Sequence, residues 1–207
     1  MRTKYTNPKQ KIVPLHHEAL LLIFTRNPEL GKCKTRLAAK VGDQAALDIY
    51  KFLLRHTVSI TKNLPQTKQV YFSETLGHDL WPTTHYQWRQ QQGIDLGTRM
   101  ENAFKAGFEE GYQKIIVIGS DLYDLSEKDL EVAFAKLDHH NVVLGPAMDG
   151  GYYLLGMREL KPQLFQNKSW GTNTVLQDTL VDLKKESYYV LDQRNDVDYY
   201  EDIKDIP

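Results

Sequence analysis

The stretch ALLLIFT, residues 19–25, runs directly into RNPELGKCKTR, residues 26–36, and this junction decides the fold. The first stretch is a short, continuous apolar run, which is typical of a strand buried on both faces of a parallel sheet. The second contains Pro28 and Gly31, which favour a turn, and it leads into a helical pattern that begins near Lys34. A buried strand, a loop and a helix in this order indicate an α/β domain.

The rest of the chain repeats this alternation of strands and helices. Further strands are predicted over residues 69–73, 85–89, 114–119, 141–144, 152–157 and 188–191. Helices are predicted over residues 34–62, with an interruption near Gly42, and over residues 96–111, 126–137, 173–185 and 199–203. Asp43, Asp95 and Ser126 are the predicted helix caps, because each side chain can accept a hydrogen bond from a free N–H of the first turn.

Together these elements predict a single-domain, three-layer α/β/α sandwich with a mostly parallel mixed sheet over residues 19–207. Residues 1–18 contain Pro8 and Pro14 and no periodic pattern. We therefore expect a loose N-terminal arm there.

The composition excludes several classes of protein. The chain has 207 residues, with 26 Lys and Arg against 27 Asp and Glu, so its net charge is −1. A chain this balanced is not a polycation, which argues against nucleic acid as its main partner. Cys33 is the single cysteine, which excludes an intramolecular disulfide and a multi-cysteine zinc site. The apolar run of residues 19–24 is far shorter than the ~20 residues of a membrane span, so we expect a cytoplasmic protein.

Ligands of open α/β sheets bind beyond the carboxyl ends of the strands, so the loops there are the candidate sites. The first of these loops contains Arg26, Lys32, Lys34 and Arg36 just before a helix. Several cations at a helix N-terminus suit a polyphosphate, although the loop lacks the second glycine and the Gly-Lys-Ser/Thr ending of a Walker motif. A solvated basic turn remains the alternative.

The loop after residue 119 carries Asp121 directly behind a buried strand. A carboxylate in this position can hold a divalent ion that the phosphates of a nucleotide complete, and it can also be purely structural. Asp124 lies further from the strand and just ahead of Ser126, so we interpret it as a turn or cap residue.

Two further loops carry candidate residues. Asp149, Gly150 and Gly151 form either an ordinary turn or a loop whose backbone approaches a ligand closely, with Asp149 directed at sugar, phosphate or metal. Asp196 and Asp198 are two positions apart and therefore face the same side of an extended segment. One of them could be a second metal ligand, and Asp198 could instead cap the last helix.

The order and spacing of these motifs resemble a small bacterial family, the radical-SAM/selenodomain-associated transferase 1 family, which has a GT-A glycosyltransferase-like fold. The resemblance covers about residues 20–203. It rests on KTRL at residues 34–37, DLG at 95–97 with Arg99, Gly119 with Asp121, LGP at 144–146, DGGYYL at 149–154, Trp170 with Thr172, and DVD at 196–198.

This resemblance implies a metal-dependent transferase that takes a nucleotide or nucleotide-sugar donor and a small-molecule acceptor, with Mg²⁺ or Mn²⁺ as the cofactor. Asp121 and Asp149 would be catalytic. The donor nucleotide would be bound by Thr25, Arg26, Lys34, Arg36, Asp95, Gly97 and Arg99. The metal would be held by Asp121 together with Asp198 or Asp196. The acceptor side would be formed by Gly150, Gly151, Trp170 and Thr172.

Two reactions and one non-enzymatic role remain open at this point. The cations of the first loop favour a triphosphate and hence nucleotidyl transfer, whereas the family name favours glycosyl transfer. The chain has Leu122-Tyr123 where the family usually has Cys-Pro, and Tyr199 where it usually has Thr. The first difference lies beside the expected metal ligand, so a non-catalytic nucleotide-binding or scaffold domain is the alternative function.

Overall fold

A computed structural model describes residues 18–204; the predicted arm over residues 1–17 lies outside this range. The strands are β1 (Ala19–Thr25), β2 (Thr67–Phe72), β3 (Gln87–Gln90), β4 (Lys114–Ile118), β5 (Val142–Pro146), β6 (Tyr152–Met157) and β7 (Tyr188–Val190). The helices are α1 (Thr35–Val41), α2 (Asp43–Thr61), α3 (Leu96–Glu109), α4 (Glu127–Lys136) and α5 (Val175–Asp182), with short 3-10 turns at Pro162–Leu164 and Tyr200–Asp202. No helix within the described range is both long and apolar enough to cross a membrane.

The strands form one seven-stranded sheet in the order β3-β2-β1-β4-β6-β5-β7. β6 runs antiparallel to both of its neighbours, β4 and β5, and the other four pairings are parallel. The predicted mostly parallel mixed sheet is therefore confirmed. Because β1, β2, β3, β4, β5 and β7 share one direction, the loops that follow them emerge at the same edge of the sheet.

Helices cover both faces of the sheet, as the predicted three layers require. Leu21 and Ile23 of β1 pack into a core with residues of α2 and α4. Leu20 and Leu22 face the opposite way and pack with residues of α3 and α5. This alternation buries Leu20 to Ile23 completely, which explains the unbroken apolar sequence of β1.

A third, smaller cluster ties the chain's C-terminal segment to the first loop. Val197 packs there with Leu37 of α1 and with Ala46 and Leu53 of α2. Leu37 belongs to the helix that follows the basic loop, and Val197 lies between Asp196 and Asp198. Apolar packing of one side chain thus brings the acidic segment next to the cations of the first loop.

The structure confirms two of the three predicted helix caps. The Asp95 carboxylate accepts from the Thr98 N–H at 2.7 Å, and Ser126 and Asp129 form a reciprocal capping box at the start of α4. The prediction for Asp43 is wrong, because α2 begins at Asp43 itself and Gly42 is its N-cap. Gly42 alone separates α1 from α2, and its φ of 86° is a conformation that glycine adopts without strain.

Asp198 does not cap the last turn, which was the alternative role that the sequence left open for it. Tyr199 is the N-cap of this turn, and the Asp202 carboxylate accepts from the Tyr199 N–H at 2.6 Å. Asp202 also accepts from the Asp198 N–H at 2.9 Å. The side chain of Asp198 is therefore free to interact with another part of the chain.

Replacing Ser126 with alanine should destabilise the protein by about 1 kcal/mol, because the Asp129 N–H loses its acceptor. Urea denaturation followed by circular dichroism measures this difference. Ser59→Ala is the matched control, since Ser59 is an exposed serine inside α2 that bonds only to the carbonyl of His56. The control should change the stability by less than about 0.5 kcal/mol. Equal effects of the two substitutions would contradict the capping role.

Candidate functional site

Two cavities of different character lie side by side at the carboxyl edge of the sheet. The larger one, the polar cavity, has a volume of about 840 Å³ and is built from the loops after β1, β2, β3 and β4. The smaller one, the apolar cavity, has a volume of about 210 Å³. It is built from the loops after β4 and β5 and from the turn that precedes α5. Four residues line both cavities, namely Phe24, Leu96, Gly119 and Asp121. Asp121 is thus at the junction.

The polar cavity contains cations and carboxylates in equal number. The charged residues that line it are Arg26, Lys32, Lys34, Arg36, Arg99, Glu29, Glu74, Asp95, Asp121 and Asp198. Lys32 pairs with Glu29 at 2.6 Å on the exposed rim. Arg26 forms no ion pair with any residue between 18 and 204. A cation that is paired with a carboxylate here can bind an anionic ligand in place of that carboxylate, because the cation is already charged and in position.

Lys34 and Asp121 form the central ion pair of the site. The Lys34 Nζ donates to the Asp121 Oδ2 at 2.7 Å, and the lysine side chain is only 7% exposed. Burial lowers the pKa of Lys34, but the charge of Asp121 and its hydrogen bond outweigh this, so the pKa is raised above its ordinary value. Lys34 is therefore a fully charged, nearly buried ammonium group at the end of β1's loop.

Lys34 is also the residue that starts α1. Its backbone is in the left-handed region, with φ 50° and ψ 45°, and it is the N-cap of the helix without a side-chain cap bond. A non-glycine residue in this region costs of order 1 kcal/mol. The left-handed turn directs the lysine side chain back over the carboxyl edge of the sheet, where Asp121 lies.

Arg36 joins the first loop to the acidic segment near the C-terminus. Its Nη1 donates to the Asp198 Oδ2 at 2.6 Å, and its guanidinium lies 5.4 Å from the ring centre of Tyr199. Both partners of the ion pair keep contact with solvent. The prediction that the basic loop and the Asp196-Asp198 segment meet at one site agrees with this geometry.

A buried network of hydroxyl groups supports the floor of the polar cavity. The Ser120 Oγ donates to the Thr25 Oγ1 at 3.1 Å. The Tyr50 hydroxyl accepts from the Arg26 N–H at 3.0 Å and donates to the Arg26 carbonyl at 3.1 Å. Sequence reasoning missed Tyr50, because a tyrosine on the buried stripe of α2 carries no signal that distinguishes it from other core residues.

Asp95 and Arg99 lie on the first turn of α3, at the side of the polar cavity. Asp95 is used as the helix cap, and the Arg99 Nε donates to the Gly93 carbonyl at 3.0 Å. Gly97, predicted to bind nucleotide, lines neither cavity. A Cβ there would lie 2.2 Å from the Trp170 Nε1, so Gly97 instead allows the indole to pack against the helix.

Aromatic and aliphatic side chains form most of the apolar cavity's wall. Tyr152 and Trp170 meet edge to face, with ring centres 6.3 Å apart. Gly151 and Thr172, both predicted on the acceptor side, line the cavity as well. The other apolar side chains of the wall are Phe24, Leu96, Met100, Val117, Ile118, Leu122, Ala147, Tyr153 and Val175.

Gly150 holds this wall together from outside the cavity. Its φ is +90°, and a Cβ would lie 2.3 Å from the Asn173 carbonyl oxygen. The Leu176 N–H donates to the Gly150 carbonyl at 2.9 Å. This contact keeps residues 171–174 out of the helix, which explains why α5 begins at Val175 and is shorter than predicted.

Three carboxylates, those of Asp121, Asp149 and Asp196, line one end of the apolar cavity. Burial raises the pKa of Asp196 to about 6, and the charges of Asp121 and Asp149 add to this effect. The Asp149 Oδ1 accepts from the Gly151 N–H at 2.8 Å. Asp149 and Asp196 form no ion pair with any described residue. The cluster is thus a site of negative potential.

The described range contains no group of three His, Cys, Asp or Glu side chains arranged to hold a metal ion. The chemistry of the cluster nevertheless suits a hard divalent cation, because carboxylate oxygens are the ligands that Mg²⁺ and Mn²⁺ prefer. The raised pKa of Asp196, caused by burial and then by its acidic neighbours, marks a charge that such a cation would neutralise. The Oδ2 of Asp121 is occupied by the Lys34 ammonium group.

Leu122 and Tyr123 stand where the family that the sequence resembles usually has Cys-Pro. Leu122 is buried and lines the apolar cavity, whereas the Tyr123 ring packs at a tilt against Phe52 and His56 of α2. Asp124 lines neither cavity and lies 3.4 Å from Arg194 in an ion pair. The departure therefore changes the wall of the apolar cavity and leaves the Asp121 position intact.

Comparisons with known proteins show a family and a fold to which the chain is similar. A family model described as "Uncharacterized protein conserved in bacteria (DUF2064)" matches residues 56–172. None of the curated proteins matches the chain significantly in sequence. The fold matches a protein from Desulfovibrio desulfuricans G20 named "putative nucleotide-diphospho-sugar transferase", with a TM-score of 0.82 and 31% identity over 88% of this chain and 83% of that one.

More distant structures share the fold alone. The 4-diphosphocytidyl-2C-methyl-D-erythritol synthase of Anaerococcus prevotii DSM 20548 has a TM-score of 0.58 and 9% identity, over 90% of this chain and 92% of that one. The inositol-1-phosphate CTP transferase of T. maritima has a TM-score of 0.52 and 15% identity, over 89% of this chain and 91% of that one. The sheet and its helices are thus of the GT-A-like type found in nucleotide-diphospho-sugar transferases.

Replacing Asp196 with asparagine should stabilise the metal-free protein above about pH 6. The folded state holds the Asp196 proton up to a pKa of about 6, against an ordinary value of 3.8, so stability falls as the pH rises through this window. Asparagine cannot ionise and avoids this loss. A shift of this size corresponds to about 3 kcal/mol, and solvent screening of the half-buried group reduces it to about 1 kcal/mol.

Urea denaturation in EDTA at about pH 8 and about pH 4 measures the effect. The stabilisation should be present at the higher pH and absent at the lower one. Asp192→Asn, an exposed position on the same segment, serves as the control and should change little at either pH. Stabilisation that is equal at both pH values would contradict the raised pKa.

Proposed function

We propose, from the premise that the chain belongs to the DUF2064 family of proteins conserved in bacteria, that it is a transferase acting on a nucleotide donor. The observation that carries the proposal is the junction of two unlike cavities at Asp121. The polar cavity suits the donor's charged phosphates, and the apolar cavity suits the acceptor. A group passed from donor to acceptor would cross the junction beside Asp121.

The donor is bound by residues of the polar cavity. Its phosphates take over the hydrogen bonds of Lys34 and Arg36, which now go to Asp121 and Asp198. Arg26 adds a cation that has no carboxylate partner in residues 18–204. Arg99, Asp95 and Leu96 flank the nucleotide, and the hydroxyl group of Thr25, which accepts from Ser120, forms part of the cavity floor.

Exchange of partners at Lys34 links the donor to the carboxylates. When the Lys34 ammonium turns to a phosphate, Asp121 is left with an unpaired charge beside Asp196. Asp121 with Asp196 or Asp198 would then hold Mg²⁺ or Mn²⁺, which supplies positive charge for a departing phosphate group. Lys34 and Arg36 stabilise the same negative charge directly from the protein side.

Asp149 is placed to act on the acceptor. One of its oxygens, Oδ1, is fixed by the Gly151 N–H, which leaves Oδ2 without a hydrogen bond from a described residue. This free oxygen accepts the proton of the acceptor's nucleophilic group as a general base. Gly150, Gly151, Trp170 and Thr172 shape the acceptor side around it.

Glycosyl transfer from a nucleotide sugar is the reaction that we favour, because the 31% identical relative bears the name of a nucleotide-diphospho-sugar transferase. The finer relationship to the radical-SAM/selenodomain-associated transferase 1 family is part of the same proposal. Nucleotidyl transfer is the second candidate, and it is supported by the five cations that line the polar cavity. The two reactions release a nucleoside diphosphate and pyrophosphate, respectively.

Lys34→Met should weaken the binding of nucleotide sugars and nucleotides about 10- to 100-fold, because a charge-assisted hydrogen bond to phosphate is lost. Isothermal titration calorimetry over a panel of nucleotides and nucleotide sugars measures the change. Lys40→Met is the matched control, since Lys40 is an exposed lysine of α1 that lines neither cavity. Equal affinities of the two variants for these ligands would show that Lys34 does not bind the donor.

Incubation of the same donor panel with Mg²⁺ or Mn²⁺ should release a nucleoside diphosphate as the sugar passes slowly to water in place of the acceptor, and Asp121→Asn should slow this release at least about 100-fold. Chromatography of the nucleotide products measures both. Asp124→Asn, three positions further on and outside both cavities, should keep the activity. Pyrophosphate as the product would establish nucleotidyl transfer instead. Donor binding without any turnover would favour the non-catalytic domain.

A further inference from the structure

The apolar cavity is too small and too apolar for a second nucleotide. Its volume is about 210 Å³, and Phe24, Met100, Tyr152 and Trp170 supply much of its wall. An apolar cavity of ~150 Å³ is large enough to hold benzene. The cavity therefore accommodates one six-membered ring or a compact branched chain.

The charge of this cavity has one sign. Asp121, Asp149 and Asp196 line it, and no lysine or arginine of the described range does. The Lys34 ammonium group contacts Asp121 from the polar cavity. Asp149 is not one of the expected metal ligands, so its negative charge would repel an anionic group placed in this cavity.

We propose that the acceptor is a compact, uncharged molecule with an apolar body and a hydroxyl group, and that phosphorylated and carboxylated acceptors are excluded. This inference rests on the proposed function, of which it defines the acceptor. The apolar body lies against Met100, Tyr152 and Trp170, and the hydroxyl group donates to the free Oδ2 of Asp149. A polyol would leave most of its hydroxyl groups without partners against this wall, which costs free energy.

Binding of matched probes to the full-length protein tests this inference without nucleotide or metal. Three probes share a six-membered ring. Cyclohexylmethanol is uncharged and mostly apolar, cyclohexanecarboxylate carries a negative charge, and myo-inositol carries a hydroxyl group on every ring carbon. Ligand-observed NMR titration at about pH 8 measures their dissociation constants. Cyclohexylmethanol should bind at least about tenfold more tightly than either of the other two, because it alone combines apolar area with the absence of negative charge.

Variants locate the binding in the apolar cavity. Leu96 is 45% exposed and lines this cavity, so Leu96→Gln should fold normally and weaken cyclohexylmethanol binding several-fold. Leu76 is 53% exposed and lines neither cavity, so Leu76→Gln is the matched control and should bind like the parent protein. Asp149→Asn should bring the dissociation constants of cyclohexylmethanol and cyclohexanecarboxylate closer together, because one negative charge is removed from the cavity.

Three results would overturn the inference: no binding of cyclohexylmethanol, binding of the carboxylate or of myo-inositol with equal or higher affinity, or equal effects of Leu96→Gln and Leu76→Gln.

Failure of the proposed function would give a different pattern of results. If nucleotides and nucleotide sugars do not bind while the alcohol preference is present, the donor assignment is wrong and the cavity assignment stands. If donors are turned over without any alcohol preference, only the acceptor class is wrong.

Discussion

β1 is hydrogen-bonded along both edges, to β2 and β4, and is packed on both faces, so that Leu20 to Ile23 are fully buried. Such a strand can only sit inside a sheet with helices on either side. Because β2 and β4 run parallel to it, the loops that follow these strands must open at the same edge. The position of the candidate site is a consequence of this burial.

Electrostatics at that edge follow from the uneven distribution of charge along the chain. Residues 1–40 carry nine basic and two acidic side chains, whereas residues 121–207 carry nine basic and seventeen acidic ones. The fold brings part of each group together in the Lys34–Asp121 and Arg36–Asp198 pairs. A nearly buried ion pair gains little net stability, since desolvation offsets the attraction. The Lys34–Asp121 pair therefore matters more for exchange of a ligand than for the stability of the fold.

Local features of the site could be predicted from sequence, and features that depend on two distant segments could not. The caps at Asp95 and Ser126 and the bounds of β1 and β6 agree with the predictions, because each depends on a few neighbouring residues. Gly97 was predicted to bind nucleotide, but its role depends on Trp170, which lies far along the chain. No local pattern reports such a close approach.

The sequence by itself determined the strand and helix order, the parallel character of the sheet and the loops that carry Lys34, Asp121, Asp149 and Asp196, since hydrophobic periodicity and turn residues are local properties. Only the tertiary structure decided how these side chains are divided between a polar and an apolar cavity. That division results from packing between distant segments, in which Val197 lies against α1 and α2 and Trp170 against α3.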